Sequence, residues 1–107
     1  MEKVKIPASL DRVVGRFIQA FAPEKIILYG SYAKGTNHPR SDMDLLVIAE
    51  TTGMFARPQA RARHLARDSF PPVDVVFTTP LELAEATPEN NPFLLSILEY
   101  GIVVYEK

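Results

Sequence analysis

No cysteine occurs among the 107 residues, which rules out a disulfide framework, thiolate metal ligands and a thiol nucleophile, and fits a reducing compartment. Histidine is nearly missing too: His38 and His64 lie far apart, so a histidine-built zinc site is excluded, and His38 reads as an exposed loop residue. No apolar run approaches the roughly 20 residues that a membrane span needs, and the opening MEKVKIPASLDR mixes charges with no apolar secretion core. The expectation is a cytoplasmic protein with no membrane association. A basic excess is also lacking. Twelve Lys and Arg against 13 Asp and Glu leave a net charge of -1, which disfavours extended nucleic-acid binding, because neutralising a phosphate backbone takes surplus positive charge. Positive charge is concentrated only in Arg57, Arg61, Arg63, His64 and Arg67. Arg57 and Arg61 fall on one helical row and Arg63 and Arg67 on another, so the two rows do not reach one ligand and a solvated or partner-facing surface is expected.

Two phosphate- or metal-binding loops are also absent. A P-loop requires a lysine after its second glycine, whereas Lys34 precedes Gly35. An EF-hand requires more acidic positions than Asp42 and Asp44, a central glycine and a closing glutamate at fixed spacing, and none of these follows.

What is present is an ordinary globular balance, 47% hydrophobic and 23% charged, in a length that suits one α+β (α/β) domain over residues 1–107. Leu10, Val13, Val14, Phe17, Ile18 and Phe21 recur at helical spacing, so a helix ends before Pro23; Gly15 within it suggests a close approach of another element. Short runs rich in β-branched and other apolar residues predict strands at Lys25–Tyr29, Met43–Ala49, Val73–Thr78 and Ile102–Tyr105. The second of these is apolar on both faces after Asp44, as a central strand covered on both sides should be. A helix with a weak apolar stripe is predicted over Phe55–Asp68. Thr79-Pro80 and Asn91-Pro92 each read as an N-cap followed by a first-turn proline, opening helices through Glu85 and through Leu98, with Gly101 as the C′ residue of the second, where helices commonly close in a left-handed turn. Tyr32 and Tyr100 read as packing residues.

The stretch Ile26–Ile48, IILYGSYAKGTNHPRSDMDLLVI, carries the chemistry. An apolar strand ends in Gly30 and Ser31, where backbone N–H groups, a hydroxyl and close approach would suit a phosphate. Lys34 and Arg40 flank the loop and could pair with triphosphate oxygens. Asp42 and Asp44 then open the next strand. At i and i+2 they project from one face with Cα atoms roughly 6.6 Å apart, which is unfavourable without a cation between them. Asp74 starts a later strand among apolar neighbours. Three carboxylates at one sheet edge would suit two Mg²⁺ ions of the kind that clamp phosphoryl or nucleotidyl displacement, with Asp42 and Asp44 on both ions and Asp74 on the one that holds the attacking hydroxyl.

GSYAKG, then SDMDLLV, then VDVVF resembles the minimal nucleotidyltransferases of the DNA polymerase β superfamily, matched at Gly30, Ser31, Asp42, Asp44 and Asp74. The resemblance implies a small mixed sheet of about four strands flanked by helices, and Mg²⁺-dependent transfer of AMP from ATP to a hydroxyl. Small members are similar to the antitoxins of HEPN toxin–antitoxin pairs, where the acceptor would be a tyrosine of the partner toxin, and the chain's length leaves the acceptor surface to a partner or a second copy. Two other outcomes are compatible with the same residues: a non-catalytic antitoxin or nucleotide-binding module, and modification of a small molecule such as an aminoglycoside.

Overall fold

The computed structural model describes residues 7–36, 41–50 and 58–107. The elements run α1 (Ser9–Phe21), β1 (Lys25–Tyr29), α2 (Ser31–Lys34), β2 (Met43–Ile48), α3 (Pro58–Leu65), β3 (Val73–Thr78), α4 (Pro80–Ala84), α5 (Pro92–Tyr100) and β4 (Ile102–Glu106). The strands form one mixed sheet in the order β3-β2-β1-β4. β1 pairs antiparallel with β2 on one side and with β4 on the other, while β2 and β3 pair in parallel through the α3 crossover.

The unbroken apolar run of β2 is explained by its position, because helices cover both faces of the sheet. Met43, Leu45 and Val47 pack with Leu10, Val13, Phe17 and Phe21 of α1 and with Ala62 of α3. Leu46 and Ile48 face the other way, toward Leu94 and Ile97 of α5. α1 and α3 are tied together at their solvent edge, where the Arg16 guanidinium donates to Asp68 Oδ1 at 2.6 Å and to the Leu65 carbonyl at 2.8 Å. The same contact holds the Asp68 carboxyl down at about 2. No helix among the described residues is long and apolar enough to cross a membrane.

Both proline-marked starts are capped. Thr79 Oγ1 accepts from the Glu82 N–H at 3.1 Å and Asn91 Oδ1 from the Leu94 N–H at 3.2 Å, each satisfying an amide that the first helical turn leaves without a partner.

Two glycines behave differently from the sequence expectation. Gly101 follows α5 in extended backbone, φ -75° and ψ 163°, so no left-handed turn closes that helix. Its small size is still needed, because a Cβ there would overlap Ile27 Cγ2 and the Ile97 carbonyl. Gly15 marks no close approach: it is exposed, with nothing within 4 Å of where a Cβ would sit. Gly15→Ala should therefore stabilise the protein by about 0.5–1 kcal/mol, since alanine loses less conformational freedom in a helix. A thermal melt checks this, with a rise of a few degrees expected and a fall refuting the open-space reading.

Candidate active site

The turn after β1 is the tightest feature of the sheet edge. Gly30 adopts φ 77° and ψ -148°, a region that side chains with a Cβ rarely enter, and the chain turns there into α2. The Gly30 carbonyl accepts from Lys34 N–H at 3.1 Å, and the Ser31 carbonyl accepts from Thr36 N–H at 2.9 Å, so the turn is fixed by its own backbone. Its open side is backed onto a carboxylate. A Cβ on Gly30 would overlap Asp44 Oδ2, so the glycine lets the main chain lie directly against that acid.

Asp44 owes its place to strand pairing. It stands opposite Tyr29 on β1 and level with Asp74 on β3, so three polar side chains cross the sheet in one row on the α5 face. Asp42 lies two residues earlier, exposed, just before β2 begins. Burial first, then the charges of Asp74 and Asp42, push the Asp44 carboxyl above its ordinary value. Tyr29 is pushed up to about 12, by burial first and then by Asp44 and Asp74. It therefore stays protonated at neutral pH.

This arrangement suits a divalent cation. A half-buried carboxylate beside two others is costly unless positive charge joins them, and carboxylate oxygens are the hard ligands Mg²⁺ takes. The acids form an open row instead of a cage: among the described residues no three His, Cys, Asp or Glu side chains close on one point. Mg²⁺ does not need such a cage, because one or two carboxylates with substrate phosphates commonly complete its shell.

The structure thus gathers four of the predicted residues, Gly30, Asp42, Asp44 and Asp74, at one edge. Ser31, half-buried, opens α2 beside them, and Lys34 closes the same short helix with its side chain exposed. Arg40 lies outside the described residues, as do His38 and Arg57.

Sequence reasoning missed the wall next to this edge. A cleft of about 270 Å³ runs from Gly30 along α2 to α5, lined by Tyr29, Lys34, Phe93, Ser96 and Tyr100 among others. Phe93, Ser96 and Tyr100 follow one helix face at i, i+3 and i+7, a spacing present in the sequence but hidden inside a segment that is apolar throughout. Tyr100 is 61% exposed and does not pack in the core, unlike Tyr32, which is buried on the α1 face. A larger cleft, about 420 Å³, lies at the opposite ends of β1 and β2, by Lys25 and Ile48, away from the carboxylates.

Comparison with known proteins places the fold and the family. A search of curated proteins returns no match. Among solved structures, the chain is similar to one from a crystal structure of a toxin–antitoxin with AMP-PNP, at 24% identity and TM-score 0.60, over 89% of this chain and 72% of that one. It is also similar to a candidate nucleotidyltransferase from Sulfolobus solfataricus, at 14% identity and TM-score 0.58, over 99% of this chain and 94% of that one. These likenesses extend to the fold. A family model for the nucleotidyltransferase domain matches residues 10–104, from α1 into β4 and across every carboxylate of the row, and the chain belongs to that family.

Proposed function

We propose that this protein transfers AMP from ATP to a hydroxyl of a partner protein, a tyrosine of a HEPN-type toxin, and neutralises the toxin by that modification. The observation that carries the reading is Gly30 lying against Asp44 with Asp74 level on the neighbouring strand, so that the Gly30-Ser31 turn and the acidic row share one edge. The likeness to a toxin–antitoxin chain solved with AMP-PNP supports the nucleotide and the kind of partner.

Asp42 and Asp44 would hold two Mg²⁺ ions and Asp74 one of them; when bound, these ions neutralise charge developing on the phosphates and lower the pKa of the attacking hydroxyl. The chain's own residues do the positioning. The Gly30-Ser31 turn offers its backbone and the Ser31 hydroxyl to the leaving phosphates, and Lys34, with Arg40, supplies positive charge to the same oxygens. The acceptor oxygen forms a bond to the α-phosphorus while the bond from that phosphorus to the oxygen bridging to the β-phosphate breaks, releasing pyrophosphate. The hydroxyl proton passes to a carboxylate oxygen of Asp74, which is exposed on edge strand β3, where an acceptor has room to approach.

The test is incubation with ATP labelled at the α-phosphate, Mg²⁺ and the protein encoded by the neighbouring gene. Label should appear on a tyrosine of that protein. Label passing to an aminoglycoside and never to the protein would overturn the choice of acceptor.

A second reading, neutralisation by binding alone, is favoured by the apolar surface that α5 and β4 leave open, with Leu98 42% and Val103 48% exposed. The paired variant Asp42→Asn with Asp44→Asn decides between them, because it should still neutralise the toxin only if binding suffices.

A further inference from the structure

Building on the nucleotidyl-transfer reading, we infer that the cleft between α2 and α5 is the nucleobase subsite, taking the purine of the nucleotide whose phosphates lie at Gly30. Continuity is the first argument. Gly30 both borders the acidic row, through Asp44, and lines the cleft, so a ligand with phosphates at the turn has this cavity as its neighbouring space. Tyr29, which also lines the cleft, stands opposite Asp44 in the sheet.

Size and lining are the second. At about 270 Å³ the cleft falls just under the roughly 300–1,000 Å³ of sites for drug-sized ligands, which suits a base with part of its sugar. Its walls are aromatic. Tyr29 and Phe93 meet edge to face, with centroids 5.7 Å apart and planes at 84°, and in such a pair one ring turns neither of its faces to the other. Phe93 is 51% exposed and Tyr100 61%, an arrangement that leaves large ring surface open to stacking. Ser96 and Lys34 add polar groups at the rim that can meet ring nitrogens or sugar hydroxyls.

Rigidity is the third. The side chains belong to a helix capped by Asn91 and anchored in the core by Leu94 and Ile97, so the aromatic face is held ready with little ordering left for the ligand to impose. The larger cleft by Lys25 and Ile48 lacks the continuity and the aromatic walls, since its lining contains no aromatic residue and it sits at the far ends of the strands that carry Tyr29 and Asp44.

The test compares two probes, ATP and inorganic tripolyphosphate, titrated calorimetrically with Mg²⁺ and no acceptor into the wild-type protein and into Phe93→Ala and Tyr100→Ala. ATP should weaken by about tenfold in each variant, the scale of one lost stacking contact, while tripolyphosphate binds as before. Phe93→Tyr, which keeps the ring, should retain ATP affinity, and Phe93→Leu should not. Both positions are at least half exposed, so the core survives truncation, which a thermal melt verifies. If ATP binds wild type and neither alanine variant alters its affinity relative to tripolyphosphate, the base lies elsewhere and this inference fails while the transfer reading stands. If neither probe binds wild type, the transfer reading itself fails and takes the inference with it.

Discussion

Asp44→Asn should remove nucleotidyl transfer by on the order of a thousandfold or more, the scale lost when an electrostatic contact to a developing transition-state charge is deleted. The same substitution should leave the protein at least as stable as wild type. Asp44 is half-buried, and its carboxyl is raised first by burial and then by Asp74 and Asp42, so its ionised form is a burden on the folded state. A carboxyl raised on folding binds its proton more tightly in the native than in the unfolded chain. Its contribution to stability is then fully present below the ordinary carboxyl value, 3.8, and is lost as pH rises through the elevated native value. At neutral pH the wild type carries that loss, whereas asparagine cannot ionise and does not. Transfer assays paired with denaturant titrations at pH 4 and pH 7 check both halves. An inactive variant that is also much less stable at pH 7 would mean that Asp44 supports the fold, and the catalytic assignment would lose its basis. Such a division, in which an acid costs stability where it serves chemistry, is common at active sites.

Gly30→Ala should be the more damaging change to the molecule as a whole. Its backbone, φ 77° and ψ -148°, costs about 1–3 kcal/mol for a residue with a Cβ, and that Cβ would also overlap the Asp44 carboxylate. Either the turn or Asp44 must move, so transfer falls together with stability. Gly35→Ala supplies the internal control. Gly35 also has a positive φ, 74°, but nothing lies within 4 Å of its Cβ position, so alanine there meets only the roughly 1–2 kcal/mol of left-handed strain and should keep transfer. Comparing the two variants by activity and by melting separates backbone strain from contact with the acid. Equal losses of activity in both would show that the closeness of Gly30 to Asp44 has no bearing on transfer.

The parts of this protein legible in its sequence are those decided within a turn or two of chain. Strands at Lys25–Tyr29 and Val73–Thr78 appear at the bounds their composition predicts, and the caps at Thr79 and Asn91 form the hydrogen bonds that their pairing with proline foretells. The order of Gly30, Ser31, Asp42 and Asp44 was likewise plain, because a turn and a strand start are specified by adjacent residues. The predicted helix over Phe55–Asp68 is seen as Pro58–Leu65, its first predicted residues lying outside the described ones.

Other features depend on partners distant in sequence. Nothing local to Val73–Thr78 says that it lies parallel to β2 with Asp74 level with Asp44. A shift of one residue would turn Asp74 to the opposite face, and it is the packing of α3 and α5 on the two sides of the sheet that excludes it. Gly15 and Gly101 make the same point in opposite directions: the sequence reading assigns closeness to the first and a left-handed turn to the second, while the folded chain leaves Gly15 in open space and needs Gly101 only for its lack of a Cβ. The aromatic wall of the cleft is a third case, since Tyr29 and Phe93 meet only once α5 docks across β1. The sequence by itself determined which residues could do chemistry and which local elements carry them. The tertiary structure decided which of them share a face, because strand register and helix docking are set by burying apolar surface across distances that no local pattern records.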